Sequence, residues 1–541
     1  MDKKRSVLNI FVSVGFKIVL LVLALLSRRF LINYAGNDAN GLYSLYTSII
    51  GFLAIADLGV GTAINFSMYK PIVDGDRDKV AALYQLYRKI YWIIGSIILG
   101  AGLLLMPALP LLAKDYSADY NLYLTFFIML CSVVVTYIFS AKTSLINAHK
   151  NNYITTTMSS IGQIARYGIQ IVVLVLTGSF EFFLGAMIVA VVLEWIMTEI
   201  VTRKKYGEIL SVPAIKVDAD TKKEIVKNTK AIFMHKIGSV LVNTADSIII
   251  SAFIGVAILG KYSNYMVIMS AMTGVLALFF TPLTAVIGHL CAEKNAEEER
   301  KYFWFMYLLN FCLGVVFFLG YYAVIDNVVA ICFNADLVMP KDVSLIITIN
   351  YFIQFMRQAV GLFRDASGTF YYDRWKPVVE GIINVALSIA FVYWIGLVGV
   401  IVATIITNLL ICHVVEPYVL YKHEFKRTPV RYYSINYSLM AVFGVCLAAL
   451  HFSLQHIDGK WTELLVNGCI AVAIALVPII IIACVSKTFR RNFKELVSDL
   501  AGFLKIKRKS KAVAAESIAP DEGDTKESAS VNDNVGSDTE K

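Results

Sequence analysis

The chain has 541 residues, 58% hydrophobic and 16% charged, with a formal net charge of +9 and a mean hydropathy of +0.67. A soluble domain carries about 25% charged residues, so a water-soluble globule is excluded. The positive balance fits basic loops at a membrane face and does not point to nucleic acid.

In chain order, apolar runs of membrane-crossing length predict fourteen spans. Their approximate limits are 8–33, 41–65, 89–112, 121–141, 153–177, 182–201, 231–254, 263–288, 303–325, 342–363, 377–396, 398–420, 434–453 and 463–485. About twenty residues cross a bilayer as a helix. Only helices or closed barrels span lipid, and these runs are too long for barrel strands, so the fold class is all-α and polytopic. The first run follows a basic start but is too long for a signal peptide and has no small-residue cleavage site, so it reads as a retained helix. The eight cysteines are scattered, with no C-x-x-C spacing. They are expected to pack as small apolar residues and not to form disulfides or bind metal. No cofactor is expected.

Lysine and arginine set the orientation. With the N-terminus in the cytoplasm, cytoplasmic segments before the tail hold 28 of them and external loops hold 4, namely Lys114, Lys261, Lys341 and Lys460. An odd number of spans could not maintain that asymmetry, so both termini are expected in the cytoplasm of a bacterial cell. The tail after 486 starts basic and turns Ala/Ser/Asp/Glu-rich; 512–541 reads as disordered.

The chain repeats itself. Slid along itself so that Lys17 falls on Lys236, it also places Gly41-Leu-Tyr43-Ser44-Leu-Tyr46 on Gly260-Lys-Tyr262-Ser263-Asn-Tyr265 without a gap. Two parallel copies related by an axis along the membrane normal are one transporter plan. The expected organisation is two pseudo-symmetric six-helix bundles, 1–202 and 231–421, joined by a cytoplasmic linker, 203–230. Two additional helices lie in 434–485, and the tail covers 486–541.

Polar residues inside the spans form stripes. Lys17 and Arg28 are eleven positions apart, within about 20° of one helix face, whereas Arg29 points about 120° away from Lys17. Ser159, Gln163, Arg166 and Gln170 share one face of the fifth span; Asn350, Gln354, Arg357 and Arg364 share one face of the tenth. Lys236, Ser239, Asn243 and Asp246 line the seventh, and Glu380, Asn384 and Ser388 the eleventh. Such stripes face protein or water, not lipid. The intramembrane cations Lys17, Arg28, Arg29, Arg166, Lys236 and Arg357 outnumber the acids Asp57, Glu194, Asp246 and Glu380. A surplus of positive charge suits an anionic substrate, and the guanidinium fork matches phosphate oxygens. The acids are candidates to balance the cations or to carry H⁺ or Na⁺. No residue set has the arrangement of a catalytic or metal site.

At Ser27-Arg28, Gly41-Leu-Tyr43, Ala56-Asp57-Leu58-Gly59-Val60-Gly61 and Tyr69-Lys70-Pro71, the chain resembles the polysaccharide flippases. These are O-antigen and capsule-type lipid-linked oligosaccharide transporters of the multidrug/oligosaccharidyl-lipid/polysaccharide exporter superfamily. Asp57 replaces the family's more usual Glu. The resemblance implies two six-helix bundles around a cleft. It also implies transfer of an undecaprenyl-diphosphate-linked oligosaccharide to the outer leaflet, with polysaccharide polymerase or glycosyltransferase partners. Arg28, Arg166 and Arg357 are then the expected diphosphate ligands, with Lys17 and Lys236 adding field and Asp57 or Asp246 carrying the coupling ion. A multidrug/cation antiporter of the same superfamily is the alternative, although a drug cation would want an acidic cavity. A membrane polymerase would need catalytic groups in a large external loop, and the longest here, 326–341, is only about sixteen residues.

Overall fold

The computed structural model describes residues 3–57, 60–117, 119–213, 217–280, 283–293, 296–487 and 489–494. The segment 512–541 lies outside the described residues. The helices are α1 (Lys3–Leu53), α2 (Val60–Asp74), α3 (Arg77–Leu105), α4 (Leu109–Leu112), α5 (Leu122–Ala148), α6 (Asn152–Thr177), α7 (Phe180–Leu210), α8 (Ala219–Ile249) and α9 (Val256–Phe280). They continue as α10 (Leu283–Glu293), α11 (Ala296–Cys332), α12 (Lys341–Met356), α13 (Gln358–Ser367), α14 (Lys376–Thr407), α15 (His413–His423), α16 (Val430–Ser453) and α17 (Lys460–Val485). Nine helical segments among the described residues are long and apolar enough to cross a membrane. The protein is an all-α, multi-pass membrane protein.

Helix breaks fall where the sequence predicts the ends of spans. Helix α1 is interrupted at Gly36 (φ 81°) and α14 at Ile395–Gly396 (Gly396 φ 58°). The continuous segment Lys376–His423 has 48 residues, more than twice what one crossing needs. Glycine adopts positive φ without a Cβ penalty, so it lets the chain turn within a run that is otherwise helical.

The positive-φ positions repeat. Gly36 and Gly255 are 219 apart, while Lys150 and Gly368, and likewise Gly178 and Gly396, are 218 apart. The same spacing governs side chains. The Tyr46 hydroxyl meets Thr125 Oγ1 at 2.8 Å. Their counterparts at the same spacing, Tyr265 and Ser344, both donate to Asp326 Oδ1, at 2.9 and 2.7 Å. An aspartate has been inserted into an otherwise repeated contact.

Packing follows the apolar faces. In the first half α3, α5, α7, α6 and α1 pack in sequence; in the second α8 packs on α14, α12 on α14, and α11 on α12. The two halves meet where α1 packs on α8 and α9 and α2 packs on α8. An aromatic group of Phe303, Tyr307, Phe363, Tyr421, Phe425 and Tyr432 joins α11, α13, α15 and α16. Elsewhere large apolar side chains point outward, with Leu104 85% and Phe452 86% exposed. A hydrocarbon surround makes such exposure favourable.

Candidate functional site

Ser27 and Arg28 sit near the end of the first arm of α1, two turns before Gly36. Ser27 is buried and donates to Gln170 Oε1 of α6 at 3.1 Å, which fixes the rotation of α1 and aims Arg28. Arg28 Nη2 donates to Ser44 Oγ at 3.1 Å and also to Ser263 Oγ. Those serines belong to α1 and α9 and are equivalent positions of the repeat. Each spends its own proton on its helix, Ser44 on Asn40 O at 2.9 Å and Ser263 on Gly260 O at 2.8 Å. Their lone pairs are therefore left to accept from the guanidinium.

Arg166 lies on α6 with its guanidinium carbon 4.6 Å from the centre of the Tyr167 ring. Tyr43 is close enough to act electrostatically on both Arg28 and Arg166. The Nε atoms of both arginines are shielded from solvent and have no hydrogen-bond partner. Glu194 of α7 stands by Gly162, close enough to Arg166 to act on it electrostatically. Among the described residues, no ion pair within 4.0 Å joins an acid to Arg28, Arg29 or Arg166. Arg29 is exposed and donates to the Ile331 carbonyl at 3.2 Å. Lys17 is exposed on α1, about 16 Å along the helix from Arg28. The Lys236 side chain lies outside the described residues.

Arg357 has a different environment. It caps α12 and grips Glu416 of α15 with two donors, Nε to Oε2 at 3.1 Å and Nη2 to Oε1 at 2.6 Å. Its Nη1 donates to Asn408 Oδ1 at 2.5 Å and lies 3.6 Å from Glu380. Lys376 bridges Glu416 at 2.6 Å and Glu380 at 2.8 Å. Arg364 pairs with Asp373 at 2.8 Å and reaches Glu416 at 3.4 Å. The expectation that Arg357 is open to phosphate thus meets a guanidinium already engaged by a carboxylate. Glu380, expected to carry an ion, is likewise an internal partner of Lys376 and Arg357. The cluster borders a cavity of about 380 Å³.

The remaining acids separate by surroundings. Asp246 of α8 accepts from Thr404 Oγ1 at 3.3 Å, and Thr404 accepts from Asn384 Nδ2 at 2.9 Å. Asp246 Oδ1, Asn384 Oδ1 and Ser388 Oγ are shielded and have no hydrogen-bond partner. Asp57 closes a turn of 3₁₀ helix (Ala54–Asp57) among Tyr87, Tyr91 and Tyr137. A Cβ at Gly61 would overlap the Tyr87 hydroxyl and lie 2.6 Å from that of Tyr91. The glycine therefore lets those hydroxyls approach the backbone. All eight cysteines are free. One departs from apolar packing: Cys291 Sγ donates to Glu299 Oε1 at 3.2 Å, and the donor atoms of Cys291, Glu299 and Glu424 lie within 4.8 Å of one another.

Sequence reasoning missed Glu416 and Asp373 and counted Lys376 only among the cytoplasmic basic residues. Ser44 and Ser263 were visible within the repeated G-x-Y-S-x-Y segment, but as scaffold, because nothing linear ties them to Arg28.

Comparison with known proteins places this geometry. Residues 6–288, just over half the chain, match the family described as "Polysaccharide biosynthesis protein". No curated protein sequence matches. Among solved structures, an inward-facing multidrug resistance MATE family transporter of the MOP superfamily aligns with TM-score 0.57 at 15% identity, over 77% of this chain and 99% of that one. The lipid II flippase MurJ in an inward closed conformation aligns with TM-score 0.59 at 13% identity, over 87% and 99%. A point mutant of the Vibrio cholerae MATE transporter VcmN aligns with TM-score 0.51 at 12% identity, over 77% and 100%. These alignments show a shared fold, and with residues 6–288 matched the chain belongs to the polysaccharide biosynthesis protein family.

Proposed function

We propose that this protein flips an undecaprenyl-diphosphate-linked oligosaccharide from the cytoplasmic to the outer leaflet of a bacterial membrane by alternating access. The observation that carries this reading is the state of Arg28 and Arg166. Both are half-buried between helices, both keep a shielded Nε with no partner, and among the described ion pairs no acid lies within 4.0 Å of either, Glu194 acting on Arg166 only from farther away. A half-buried cation without a close acid partner is costly, and a diphosphate supplies negative charge with oxygen acceptors that match guanidinium donors. A cationic, water-accessible path lowers the cost of carrying that headgroup across about 30 Å of hydrocarbon, while the lipid tail stays in the bilayer.

In this reading the chain has fourteen spans. The breaks at Gly36 and Gly396 each divide one continuous helix into two crossings, and the breaks at Gly36 and Gly255 mark equivalent points of the two six-helix bundles 1–202 and 231–421. The helices of 434–485 are an addition, and both termini face the cytoplasm. Arg28 and Arg166 bind the diphosphate; Asp246, with Thr404 and Asn384, takes the coupling H⁺ or Na⁺. Arg357 serves the internal scaffold of the second bundle.

The test is Arg28→Gln and Arg166→Gln in cells that depend on this protein for surface polysaccharide. Export falls at least tenfold in each while the inserted protein remains at wild-type level, and glycan-bearing carrier lipid accumulates on the cytoplasmic side. Normal export in both variants would sink the assignment.

A further inference from the structure

The cavity in the second half is built from groups to which the proposed diphosphate site assigns no role. Its volume of about 380 Å³ falls within the range of small-molecule sites. Arg357 and Arg364 line it, yet both are neutralised: Glu416 holds Arg357 with two hydrogen bonds, and Asp373 and Asp365 pair with Arg364. With Lys376 shared between Glu416 and Glu380, three cations face four carboxylates. A phosphate entering here would have to pull Arg357 from a buried ion pair, which leaves Glu416 uncompensated.

What the cavity does offer is a set of planar polar groups held in place by one another. Gln354 donates to Asn350 Oδ1 at 3.1 Å, which leaves its own carbonyl oxygen as an acceptor. Asp365 is exposed, and so is Gln358 at the start of α13. Phe280, with its ring packed edge-on to Phe355, supplies an apolar wall. Fixed donors and acceptors beside an apolar surface suit a ligand that carries hydroxyls around an apolar ring. The orientation argued above puts the connection after α13 on the cytoplasmic side, from which a lipid-linked glycan loads.

We infer that this cavity is the subsite for the sugar head of the cargo, and that it takes an uncharged or amino-sugar residue and leaves the diphosphate to Arg28 and Arg166. The inference rests on the flippase reading.

Gly361 of α13 gives a direct test. It lines the cavity, and a Cβ placed there meets nothing within 4 Å, so Gly361→Leu fills the space without disturbing the wall. Gln358→Leu, at an exposed position, removes polar capacity and is a second variant that does not depend on core packing. The full-length protein is purified from its own host in mild detergent, and the co-purifying lipids are weighed by mass spectrometry as glycan-bearing and bare undecaprenyl diphosphate. In both variants the ratio of glycan-bearing to bare carrier falls at least fivefold below wild type, with the bare carrier retained. A ratio within twofold of wild type in both overturns the sugar subsite alone, as does a parallel loss of bare carrier, which would place the diphosphate here. If the wild-type protein retains neither lipid, the flippase reading itself fails and takes the subsite with it.

Discussion

Gly41 and Gly260, equivalent positions of the repeat, lean on each other's halves of the chain. A Cβ at Gly41 would overlap the Val256 carbonyl and lie 2.7 Å from Val256 Cγ1; a Cβ at Gly260 would lie 2.6 Å from the Asn37 carbonyl. Asn37 and Val256 are themselves equivalent positions. Residue i touches j′ while i′ touches j, the reciprocal contact of a two-fold interface, here made within one polypeptide. Asn37 and Asn40 tighten it by donating to the carbonyls of Ala257 at 2.7 Å and Gly260 at 3.0 Å.

This seam predicts a sharp steric response. Gly41→Val and Gly260→Val force the halves apart, since the obstructing atoms are backbone. Transport falls at least tenfold, and a cysteine placed at Ser44 reacts faster with a membrane-impermeant maleimide. Gly100→Val, where a Cβ meets nothing within 4 Å, leaves both readouts unchanged. Equal effects at all three sites would show that the seam is not special.

Arg28 spans the same seam through Ser44 and Ser263. A hydrogen bond to a charged group contributes about 1.5–3 kcal/mol, so Ser263→Ala lowers export roughly tenfold to a hundredfold. Arg28→Lys keeps the charge but loses the planar guanidinium whose Nη2 reaches both serines and whose remaining donors match phosphate oxygens; it retains less than a third of wild-type export. Rates from inverted vesicles containing purified protein make the comparison, and a lysine variant with full activity would reduce Arg28 to a point charge.

Glu416 holds Arg357, Arg364 and Lys376 together, and only 4% of its side chain is exposed. Removing one partner of a buried ion pair costs about 3–5 kcal/mol. Glu416→Gln therefore lowers the thermal midpoint in detergent by several degrees, and so does Arg364→Gln, which removes the cation 2.8 Å from the fully buried Asp373 side chain. Arg357→Met combined with Glu416→Leu recovers part of the loss, because no uncompensated charge is left behind.

Asp246 has no cation within 4.0 Å among the described ion pairs, and one of its oxygens has no partner. Asp246→Asn keeps the Thr404 hydrogen bond and removes the charge, so on the proposed coupling role the protein inserts normally but loses stabilisation by the ion. Thermal midpoints measured with and without Na⁺, and across pH 5–8, detect this: wild type shows a Na⁺ shift, or an added pH shift, that the variant lacks.

Glu424 follows α15, and burial pushes its carboxyl above the ordinary range. A carboxyl raised in the folded state binds its proton more tightly there than in the unfolded chain. Its contribution to stability is thus full below the ordinary glutamate range and disappears as pH rises through the raised value. Glu424→Gln removes that dependence. The difference in melting temperature between variant and wild type widens in favour of the variant from pH 5 to pH 8, and a constant difference would contradict the assignment.

The helical fold was legible because membrane crossing is a local property: about twenty apolar residues in a row announce themselves. Gly36 and Gly396 fell at the edges of predicted spans for the same reason. The repeat was visible through Gly41 and Gly260, because a close backbone approach tolerates no other side chain and so leaves a mark in the letters. The site was less legible. Arg28 and Arg357 look alike in sequence, each a cation on a polar stripe.

Charge count, the apolar runs and the sequence repeat were decided by the sequence alone, since each depends on residue type and spacing. Which arginine is neutralised was decided only by tertiary structure, because Glu416 is 59 positions from Arg357 in the chain and ion pairing falls off within a few ångströms in space. The seam between Gly41 and Gly260 belongs to both. The sequence marks its glycines and serines, and the fold alone brings Ser44 and Ser263 to the same guanidinium.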